Sequence, residues 1–509
     1  MVHALDDFRS EYNIARENRF KSKKRNVTGV ARSADAHISS EWDWIFSIEY
    51  AREMERNNIV IGQGLNRLVD NVLPPSEENP SSLVPIPRTG DDTLDDDLRG
   101  LWKEWACDSD LCSWNGESTF RDLEKLTLRS MIRDGDVLHT PLSNGTLRAF
   151  EAHRCRTPGS RTLRRGVIHV VELSEDGTPI RYHFTKEEID PGTFTLAHHR
   201  LKSVKTRDRD GNRRVLQVYD PKRFSQHRGV TGFAPIDVTA SQFDDISLAK
   251  MMQSLATSTF GIIKEQEARI QPEDPKNPGN QIGATESATL SDGTSVEINK
   301  LGIGLMWTGK PGEKLSAFSP NIPNESYFEH SKVMLTLLSI NLGLPLAVFI
   351  LDMSQHNFNS WRGAMDQARL GFVRLQEILR DRLHRHVWGW RIRNWISSGE
   401  LSPTASENPN LLLVDWNLPK WPYIDPKEDI QSDLLEEAGL GSSPRRIRAR
   451  RGVDWKTIIS ETVEDYSYAS ETARLDAERL NSAHPGLDLS WQDLLRLKVL
   501  PNMTGNSQK

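Results

Sequence analysis

The chain has 509 residues, of which 37% are hydrophobic and 27% charged, and its formal net charge is -6. A chain of this length can bury a sizeable core, and such lengths usually correspond to roughly two to four domains. The slight excess of acidic side chains argues against a strongly basic nucleic-acid binder. The polar N-terminus has no apolar core of the signal-peptide kind, and no stretch has the length of a membrane span. We therefore expect a protein that is made and kept soluble.

The three cysteines, Cys107, Cys112 and Cys155, match no zinc-ligand spacing and leave an odd count. Both features fit a reducing cytoplasm better than a disulfide-stabilised scaffold. We expect these cysteines to be buried thiols.

An N-terminal arm followed by helices is predicted for the first part of the chain. Residues 1–40 are charged, with little apolar periodicity, and are expected to be mobile. Their basic cluster at 21–25 could touch nucleic acid, although a solvated tail is the stronger interpretation. Apolar residues at helical spacing from Trp42 to Asn71 predict two helices with a joint, interrupted at Asn57-Asn58 and at 62–64.

The next segment, PPSEENPSSLVPIPRTGDDTLDDD, is proline-rich and acidic and predicts a loop. Helices are expected at Leu98–Ala106 and at Phe120–Arg133. From Asp136 to Tyr219 the apolar period changes to two, and three turn signals separate the runs: Asn144-Gly145, Asp176-Gly177 and Asp210-Gly211. Asn-Gly and Asp-Gly between alternating runs are strong hairpin signals, so we predict one small antiparallel sheet.

A helix is predicted from Asp237 to about Lys264, which would span about 40 Å. Residues 265–324 then interrupt the helical pattern with turn-rich and short strand-like runs, including TSVEINK and GIGLMWTG. We expect a compact, mostly-strand insert between two helices, the second of which runs from Tyr327 to Asn341. The inner stripe of the first helix is expected to hold Val238, Phe243, Ile246, Met251, Leu255 and Phe260.

A Gly-Pro break (LGLP) follows the second helix, and then a polar tip from Met353 to Ser360. Side chains such as those of SQHNFNS hydrogen-bond their own backbone, so the tip should be an exposed loop. A very long amphipathic helix is predicted from Ser360, with one apolar stripe that packs on something large. This stripe consists of Trp361, Met365, Ala368, Phe372, Leu375, Leu379 and Leu383. Further helices are expected at Asp425–Ala438, Asp454–Tyr466 and Ser470–Ser482.

Signals for catalysis are weak. The sequence has no GxSxG, Walker A or HExxH motif. His384 and His386 are two positions apart on a predicted helix and point to different faces, which favours structural histidines over metal ligands. The acidic runs at 91–92 and 95–97 could bind a cation in a nuclease, but a solvated loop is the stronger interpretation. No catalytic residue, metal site or cofactor is predicted.

Other polar and aromatic candidates also have structural explanations. Asp425 follows a strand-like run and precedes a helix, where capping is a commoner role than catalysis. Trp416, Trp421 and Tyr423 could stack on bases, but single aromatic residues in a proline-containing segment more often pack in a core. An enzyme is thus unsupported rather than excluded.

The sequence LGLPLAVFILDMSQHNFNSWRGA resembles the pattern LGLP…D.S..N(Y/F)SS.R of the portal proteins of tailed bacteriophages, in particular the lambda-like branch. AREMERNN, VYDPKRFSQHRGVTGFAP and WPYIDPKED are similar to other segments of this family, and the resemblance covers roughly Trp42 to Asp465. Two departures are Asn359, where the family usually has a second Ser, and Leu73-Pro74-Pro75, which replaces a Val-Gly. The residues that match the first motif are Leu342 to Pro345, Asp352, Ser354, Asn357, Phe358, Ser360 and Arg362.

The resemblance implies an α+β subunit with a helical stem, a mixed α/β wing, a small mostly-β clip and a helical crown. Such subunits assemble into a ring, usually of twelve, at one capsid vertex, which would be the channel for packaging and ejection of double-stranded DNA. The implied divisions are a mobile arm (1–40), wing (41–236), first stem helix (237–264), clip (265–324), second stem helix (325–343), tunnel loop region (344–359), long wing helix and connection (360–424), and helical crown with C-terminal tail (425–509).

Two sets of site residues follow from the same resemblance. The tunnel loop that faces the DNA would consist of Ser354, Gln355, His356, Asn357, Phe358 and Asn359. The clip would dock the terminase large subunit during packaging and a head-completion or adaptor protein afterwards, through Glu273, Asp274, Lys276, Asn277 and Asn280. The major capsid protein is a further expected partner, and no membrane is expected to take part. The protein would reside in the virion after assembly in the host cytoplasm.

A polar tip without fixed positive charge suits a conduit through which a duplex slides. Each Lys or Arg paired with a phosphate adds to a salt-dependent affinity and would retain the DNA. With a net charge of -6 per subunit, a ring would be broadly repulsive towards DNA. The runner-up hypothesis is a metal-dependent DNA-processing enzyme, a nuclease of phage origin that uses the acidic loops with magnesium.

Overall fold

The computed structural model describes residues 41–75, 81–157, 167–168, 171–189, 200–224, 226–259, 263–266, 285–289, 295–299, 313–316, 325–354, 358–419, 421, 426–444, 447, 455–484, 486 and 488–498. The chain forms two compact units, one of Met1–Ala240 with Leu335–Lys509 and the other of Ser241–Met334. Both helices and antiparallel strands are present, in agreement with the α+β prediction.

In chain order the α-helices are α1 (Glu41–Asn57), α2 (Ile59–Val72), α3 (Asp92–Cys107), α4 (Ser109–Cys112), α5 (Phe120–Arg133), α6 (Asp237–Thr259), α7 (Glu325–Leu342), α8 (Leu346–Ile350), α9 (Phe358–Leu379), α10 (Arg385–Ser398), α11 (Pro426–Ala438), α12 (Trp455–Ala483) and α13 (Trp491–Lys498). A π-helical segment, Arg380–His384, connects α9 to α10 without a break. The strands are β1 (Val84–Pro87), β2 (Asp136–Pro141), β3 (Leu147–Glu151), β4 (Val167–Ile168), β5 (Val171–Leu173), β6 (Pro179–Thr185), β7 (Leu201–Lys205), β8 (Leu216–Tyr219), β9 (Ile263–Gln266), β10 (Thr285–Thr289), β11 (Ser295–Asn299), β12 (Glu313–Ser316) and β13 (Val414–Asn417).

Aromatic side chains of α3, α5 and α10 form the centre of the larger unit. The ring of Trp102 lies 5.2 Å from that of Trp105, between centroids. It also lies 5.3 Å from Phe120 and 5.5 Å from Trp388. All four side chains are buried. Tilted and edge-to-face aromatic pairs contribute about 0.5–1.5 kcal/mol beyond the area they bury, so this cluster joins helices that are far apart in the sequence.

The long helix is present, and its predicted apolar stripe is part of this core. Trp361 and Ala368 are partly buried, and the rest of the stripe is buried: Met365, Phe372, Leu375, Leu379 and Leu383. On the same side, Gln376 donates to the carbonyls of Val72 (2.7 Å) and Pro419 (3.2 Å). The stripe is therefore packing surface rather than a binding face.

The predicted single sheet is two sheets. β2 lies between β3 and β8, whereas β4, β5, β6 and β7 form a separate antiparallel sheet in that order. The turns at Asn144-Gly145 and Asp176-Gly177 close hairpins, as predicted. At Asp210-Gly211 the turn is also tight, because Asp208 accepts from the N–H groups two and four residues later. The strands that flank this turn, however, pair in different sheets, which local turn signals do not specify.

Three helix predictions in the larger unit need correction. α3 begins at Asp92 rather than Leu98, because the Asp91 side chain accepts from the N–H groups of the first helical turn. The helices predicted at 454–466 and 470–482 are one helix, α12. The joint between α1 and α2 is at Asn58, which caps α2, and the helix continues through 62–64.

In the smaller unit, α6 ends at Thr259 and Lys264 lies in β9, so the predicted helix end is wrong. The described parts of the insert are strands, as predicted: β9 pairs with β12 and β10 with β11, both antiparallel. GIGLMWTG lies outside the described residues. The predicted inner stripe of α6 is wrong at Met251, which is 65% exposed.

Candidate functional site

The chain turns sharply at LGLP, between α7 and α8. Gly343 has φ = 68°, in the left-handed region that glycine adopts without strain. Its N–H donates to the carbonyl of Ile340 (3.0 Å), and the N–H of Leu344 donates to the carbonyl of Ser339 (3.1 Å). These two bonds form the Schellman motif that ends many helices. Pro345 precedes α8 and fixes the direction in which the chain leaves the turn.

α8 is seated on α2. Gly64 of α2 lies against the ring of Phe349 and the side chain of Leu342, and a Cβ at this position would overlap both. Arg67, one turn further along α2, donates from Nη1 to the carbonyl of Phe349. The larger unit therefore fixes the position from which the polar tip departs.

A short turn at Leu351 and Asp352 connects α8 to the polar tip, which begins at Met353. Leu351 has φ = 57°, a left-handed conformation that is uncommon for a residue other than glycine. The N–H of Asp352 donates to the carbonyl of Ala347 (3.1 Å), and its Oδ1 accepts from the N–H of Ser354 (2.9 Å). Leu351 is 67% exposed and Met353 is 45% exposed. The described part of the tip is thus an exposed, side-chain-capped turn, as predicted.

The structure describes part of the predicted tunnel loop and none of the predicted clip residues. Ser354 is exposed, and Asn359 is exposed in the first turn of α9. The helix begins at Phe358 rather than Ser360, so Phe358 and Asn359 are helical residues and not loop residues. The remaining candidates lie outside the described residues: Gln355, His356, Asn357, Glu273, Asp274, Lys276, Asn277 and Asn280.

Charges next to the tip are balanced. Between residues 351 and 371 the sequence contains two aspartates, Asp352 and Asp366, and two arginines, Arg362 and Arg369. Arg369 pairs with Asp366 on α9, with Nη1 and Oδ1 3.4 Å apart. This surface therefore has no excess of positive charge with which to hold a phosphate backbone.

A buried ion pair joins α5 to the π segment behind the long helix. Nε2 of His384 lies 2.5 Å from Oε1 of Glu124, and both side chains are fully buried. The second Glu124 oxygen accepts from the N–H of Ser82 (2.6 Å), and Nδ1 of His384 lies 3.1 Å from the carbonyl of Leu379. Both ring nitrogens thus face oxygen atoms of the protein. The predicted structural role of His384 is confirmed, but sequence reasoning missed Glu124.

Two other buried side chains in this unit, His139 and Asp134, have shifted pKa values. The pKa of His139 is lowered to about 4, first by burial and then by the positive charge of His384. Burial would raise the pKa of Asp134, but hydrogen bonds from Arg133 and Arg52 outweigh it and the pKa is lowered. Each arginine approaches one carboxylate oxygen at 2.7 Å. The side chains of Arg52, Arg133 and Asp134 thus tie α1 to α5, which is a structural role.

The acidic run that the sequence predicted as a solvated loop is the N-terminus of α3. Asp91 caps the helix, and Asp95 is buried and accepts from the N–H (3.0 Å) and Oγ1 (2.6 Å) of Thr89. Carboxylates in a first helical turn are stabilised by the helix dipole. In the part of the chain that the structure describes, no group of three or more His, Cys, Asp or Glu side chains is arranged to hold a metal ion.

Two of the aromatic candidates, Trp416 and Trp421, pack against other side chains of the larger unit, which agrees with the structural role predicted for them. The ring of Trp416 lies 6.0 Å from that of Trp102. Trp421 donates from Nε1 to the carbonyl of Asn71 (2.6 Å) and lies against Phe372. Tyr423 and the predicted cap Asp425 lie outside the described residues.

The cysteine prediction is only partly confirmed. None of these three described cysteines takes part in a disulfide, and Cys112 and Cys155 are buried. Cys107 is exposed, because it follows Trp105 and Ala106 on α3 and so turns away from the face that these two residues bury.

In a comparison with protein families, the model described as phage portal protein, lambda family, matches residues 20–376. This range is well over half of the chain. The chain belongs to the lambda family of phage portal proteins. The match includes the LGLP turn, its seat on α2 and the start of the long helix. The π segment and α10 to α13 lie beyond it, whereas the sequence resemblance extended to about Asp465.

Three solved structures similar to this portal protein come from one kind of particle. Against "Neck of native GTA particle computed with C12 symmetry" the identity is 11% and the TM-score 0.43, covering 80% of this chain and 93% of that one. Against "Virion of native gene transfer agent (GTA) particle" the identity is 13% and the TM-score 0.39, covering 80% of this chain and 93% of that one. Against "Neck of empty GTA particle computed with C6 symmetry" the identity is 12% and the TM-score 0.43, covering 83% of this chain and 95% of that one. The comparison with curated proteins found no match.

The family is one of structural proteins rather than enzymes, and its members belong to the virion. Among the residues that the structure describes, no helix combines the length and apolar character needed to cross a membrane.

Proposed function

We propose that this portal protein forms a ring at one capsid vertex, of twelve subunits as is usual in the family, through which double-stranded DNA is packaged and later ejected. In this proposal α6 and α7 are the two stem helices and residues 265–324 are the clip. Residues 41–236 and 360–424 form the wing, residues 425–509 the crown, and residues 1–40 an arm.

One observation carries the ring assembly: α6 and α7 expose large apolar side chains that a lone subunit leaves in water. On α6 these are Leu248, Met251 and Met252, at spacings of three and four residues, which places them on one face. On α7 they are Phe328, Val333 and Ile340, and each is more than half exposed. Exposed apolar surface of this extent on long helices marks a protein interface. In a portal ring, a second copy of this chain would cover these apolar faces.

The C-terminal helices α11 and α12 also expose large apolar side chains. α11 exposes Leu434 and Leu435 at 60% and 73%, and α12 exposes Val463 and Tyr468 at 58% and 75%. A helix that leaves so much apolar surface uncovered is stabilised when a neighbour covers it. We place these helices in a crown where adjacent subunits pack against one another.

The polar tip is the segment that we assign to the DNA channel. It departs from a turn that is fixed by Gly343, Gly64 and Arg67, and its described part is exposed and without excess positive charge. A loop held at its base and weakly attractive to phosphates lets DNA slide without being retained. The residues in this assignment are Ser354, Gln355, His356 and Asn357 of the tunnel loop, with Phe358 and Asn359 of the first turn of α9 beside them.

The clip residues named from the sequence are assigned to docking of the terminase large subunit and then of an adaptor protein, with the major capsid protein against the wing. The assembled ring resides in the virion after assembly in the host cytoplasm. The alternative of a metal-dependent nuclease has less support, because Asp91 and Asp95 are occupied in capping α3 and in binding Thr89.

Negative-stain images and sedimentation of the purified full chain test the assembly. We expect rings with a central hole and a sedimentation coefficient far above that of a monomer. A strictly monomeric protein that cleaves DNA in a metal-dependent manner would contradict the proposal and support the nuclease.

A further inference from the structure

A cavity of about 510 Å³ lies in the larger unit, between the β8 region and the junction of α9 with the π segment. Arg213 and Gln217 line one side of it, and Arg374, Arg382 and His386 line the other. It is separate from the LGLP turn and from the tip. None of the functional assignments above uses it.

The carboxylates at this cavity are already engaged by cations. Asp381 lines the cavity but pairs with Arg380, with Oδ1 and Nε 3.0 Å apart. The same guanidinium lies 3.6 Å from Glu377, the other acidic lining residue. Arg374 pairs with Asp220 at 2.8 Å, and Asp220 also accepts from Lys222. Each acidic side chain here therefore has a cationic partner nearby.

Arg213 and Arg382 differ from Arg374 and Arg380 in their charged neighbours. In the described part of the chain neither has a carboxylate within ion-pairing distance. The guanidinium of Arg382 lies over the ring of Tyr219, with its central carbon 4.1 Å from the ring centroid. A cation on an aromatic face is held in place while the N–H groups at its edge stay available. Arg382 is thus a pre-positioned donor that no carboxylate among the described residues neutralises.

Positive charge is concentrated at this point. The pKa of His386 is lowered to about 4, first by burial and then by the charges of Arg213, Arg207, Arg385 and Arg382. The pKa of Arg213 is also lowered, by burial and by its neighbours Arg207 and Arg382. The potential that opposes one more proton at His386 stabilises an anion by the same physical effect.

We propose that this cavity, which we call the arginine pocket (Arg213, Arg374, Arg382 and His386), binds a phosphoryl oxyanion. Guanidinium groups bind phosphate through paired N–H donors in a fork that matches its oxygens. Arg213 and Arg382 approach from different elements, and a tetrahedral dianion has enough oxygens to meet both, whereas a flat carboxylate fills one fork. The volume lies in the range of small-molecule sites and leaves room for a phosphate with bound water.

Calorimetric titration of the full chain with inorganic phosphate tests the arginine pocket. We expect saturable binding that Arg213→Gln/Arg382→Gln weakens about tenfold or more, because each lost charge-assisted hydrogen bond is a substantial part of the affinity. The matched control is Arg474→Gln/Arg479→Gln, which removes the same charge from exposed positions of α12. We expect the control to bind phosphate as the unchanged protein does.

Two further measurements keep the result decisive. Arg213→Gln alone changes an exposed side chain and should leave the melting temperature unaltered while it weakens phosphate binding. Titration with a short DNA duplex distinguishes the source of the group. Loss of duplex binding in this variant identifies a nucleic-acid phosphate, and binding of inorganic phosphate alone identifies a free anion. Absent phosphate binding, equal binding by both double variants, or tighter binding of succinate than of phosphate would each overturn the proposal.

Discussion

Glu124 and His384 are 260 positions apart in the sequence, yet Oε1 of the first and Nε2 of the second lie 2.5 Å apart with both side chains fully buried. This contact fixes the junction between α9 and α10 to α5. The long helix α9, which follows the polar tip, is therefore anchored at its C-terminal end.

Removing one partner of the Glu124–His384 pair should destabilise the folded protein. We expect Glu124→Ala to lower the free energy of unfolding by about 3–5 kcal/mol, because it leaves a buried imidazole without its acceptor. Glu124→Gln should cost less, since its amide can donate to a neutral ring. Chemical denaturation of the single variants and of Glu124→Ala/His384→Ala measures the coupling. Additive single effects would show that the two side chains do not stabilise each other.

The close approach of Gly64 to Phe349 gives a second prediction. Gly64→Ala should lower the free energy of unfolding by about 1–3 kcal/mol, because the new methyl group must displace α8 from α2. Gly100→Ala is the matched control. Gly100 lies in α3 with no atom near its missing Cβ, and this change should stabilise the protein by up to about 1 kcal/mol. Equal effects of the two variants would argue against tight seating of α8.

Ring assembly should depend on the exposed face of α6. We expect Met251→Glu to shift the sedimenting species from ring to monomer, because a carboxylate would be buried in each interface between subunits. Met251→Leu keeps the apolar surface and should keep the ring. Normal rings of the glutamate variant, seen by negative stain, would remove this helix from the subunit interface.

The tip should matter for DNA but not for assembly. Replacement of residues 355–359 by Gly and Ser should leave ring formation intact, since these residues lie beyond the turn that fixes α8. Packaging efficiency or retention of packaged DNA should fall, as measured by the amount of nuclease-protected DNA per particle. An unchanged yield of infectious particles would speak against a place in the channel.

Stability should decrease on acidification. The pKa of His139 and that of His153 are both lowered from 6.5 to about 4, chiefly by burial. The unfolded chain therefore binds protons more readily, and the stability that these neutral rings provide is complete above about pH 6.5 and is lost as the pH falls towards 4. Urea unfolding near pH 7 and near pH 5 measures the slope. His139→Asn should reduce it, and an unchanged slope would contradict the assignment.

Much of the local structure could be predicted from periodicity and turn chemistry. The Phe120–Arg133 helix has the predicted bounds, and the stripe from Trp361 to Leu383 is core, because apolar spacing reports which helix face is buried. The LGLP turn was predictable for a similar reason. A glycine followed by a proline has few backbone conformations that fit the end of one helix and the start of the next.

Long-range pairing could not be predicted in the same way. The sequence around Asp210-Gly211 specifies a tight turn but not that β8 pairs with β2 while β7 pairs with β6. Likewise nothing near Glu124 indicates a histidine as its partner. Met251 of α6 was wrongly predicted to lie on the inner stripe because an apolar face is equally periodic whether it packs inside the subunit or against another molecule.

The π segment Arg380–His384 has a consequence for how this chain tolerates changes in length. A π turn holds one residue more than an α turn, so it offsets the two halves of the helix by about 100°. Only with this offset do Phe372 and Leu379 before it and Trp388 and Trp395 after it all face the same core. Deleting a single residue at this point would restore an ideal α-helix and leave the tryptophans facing the core, whereas an unbroken α-helix of the present length would turn them towards water. The most regular helix is thus the wrong one for this sequence.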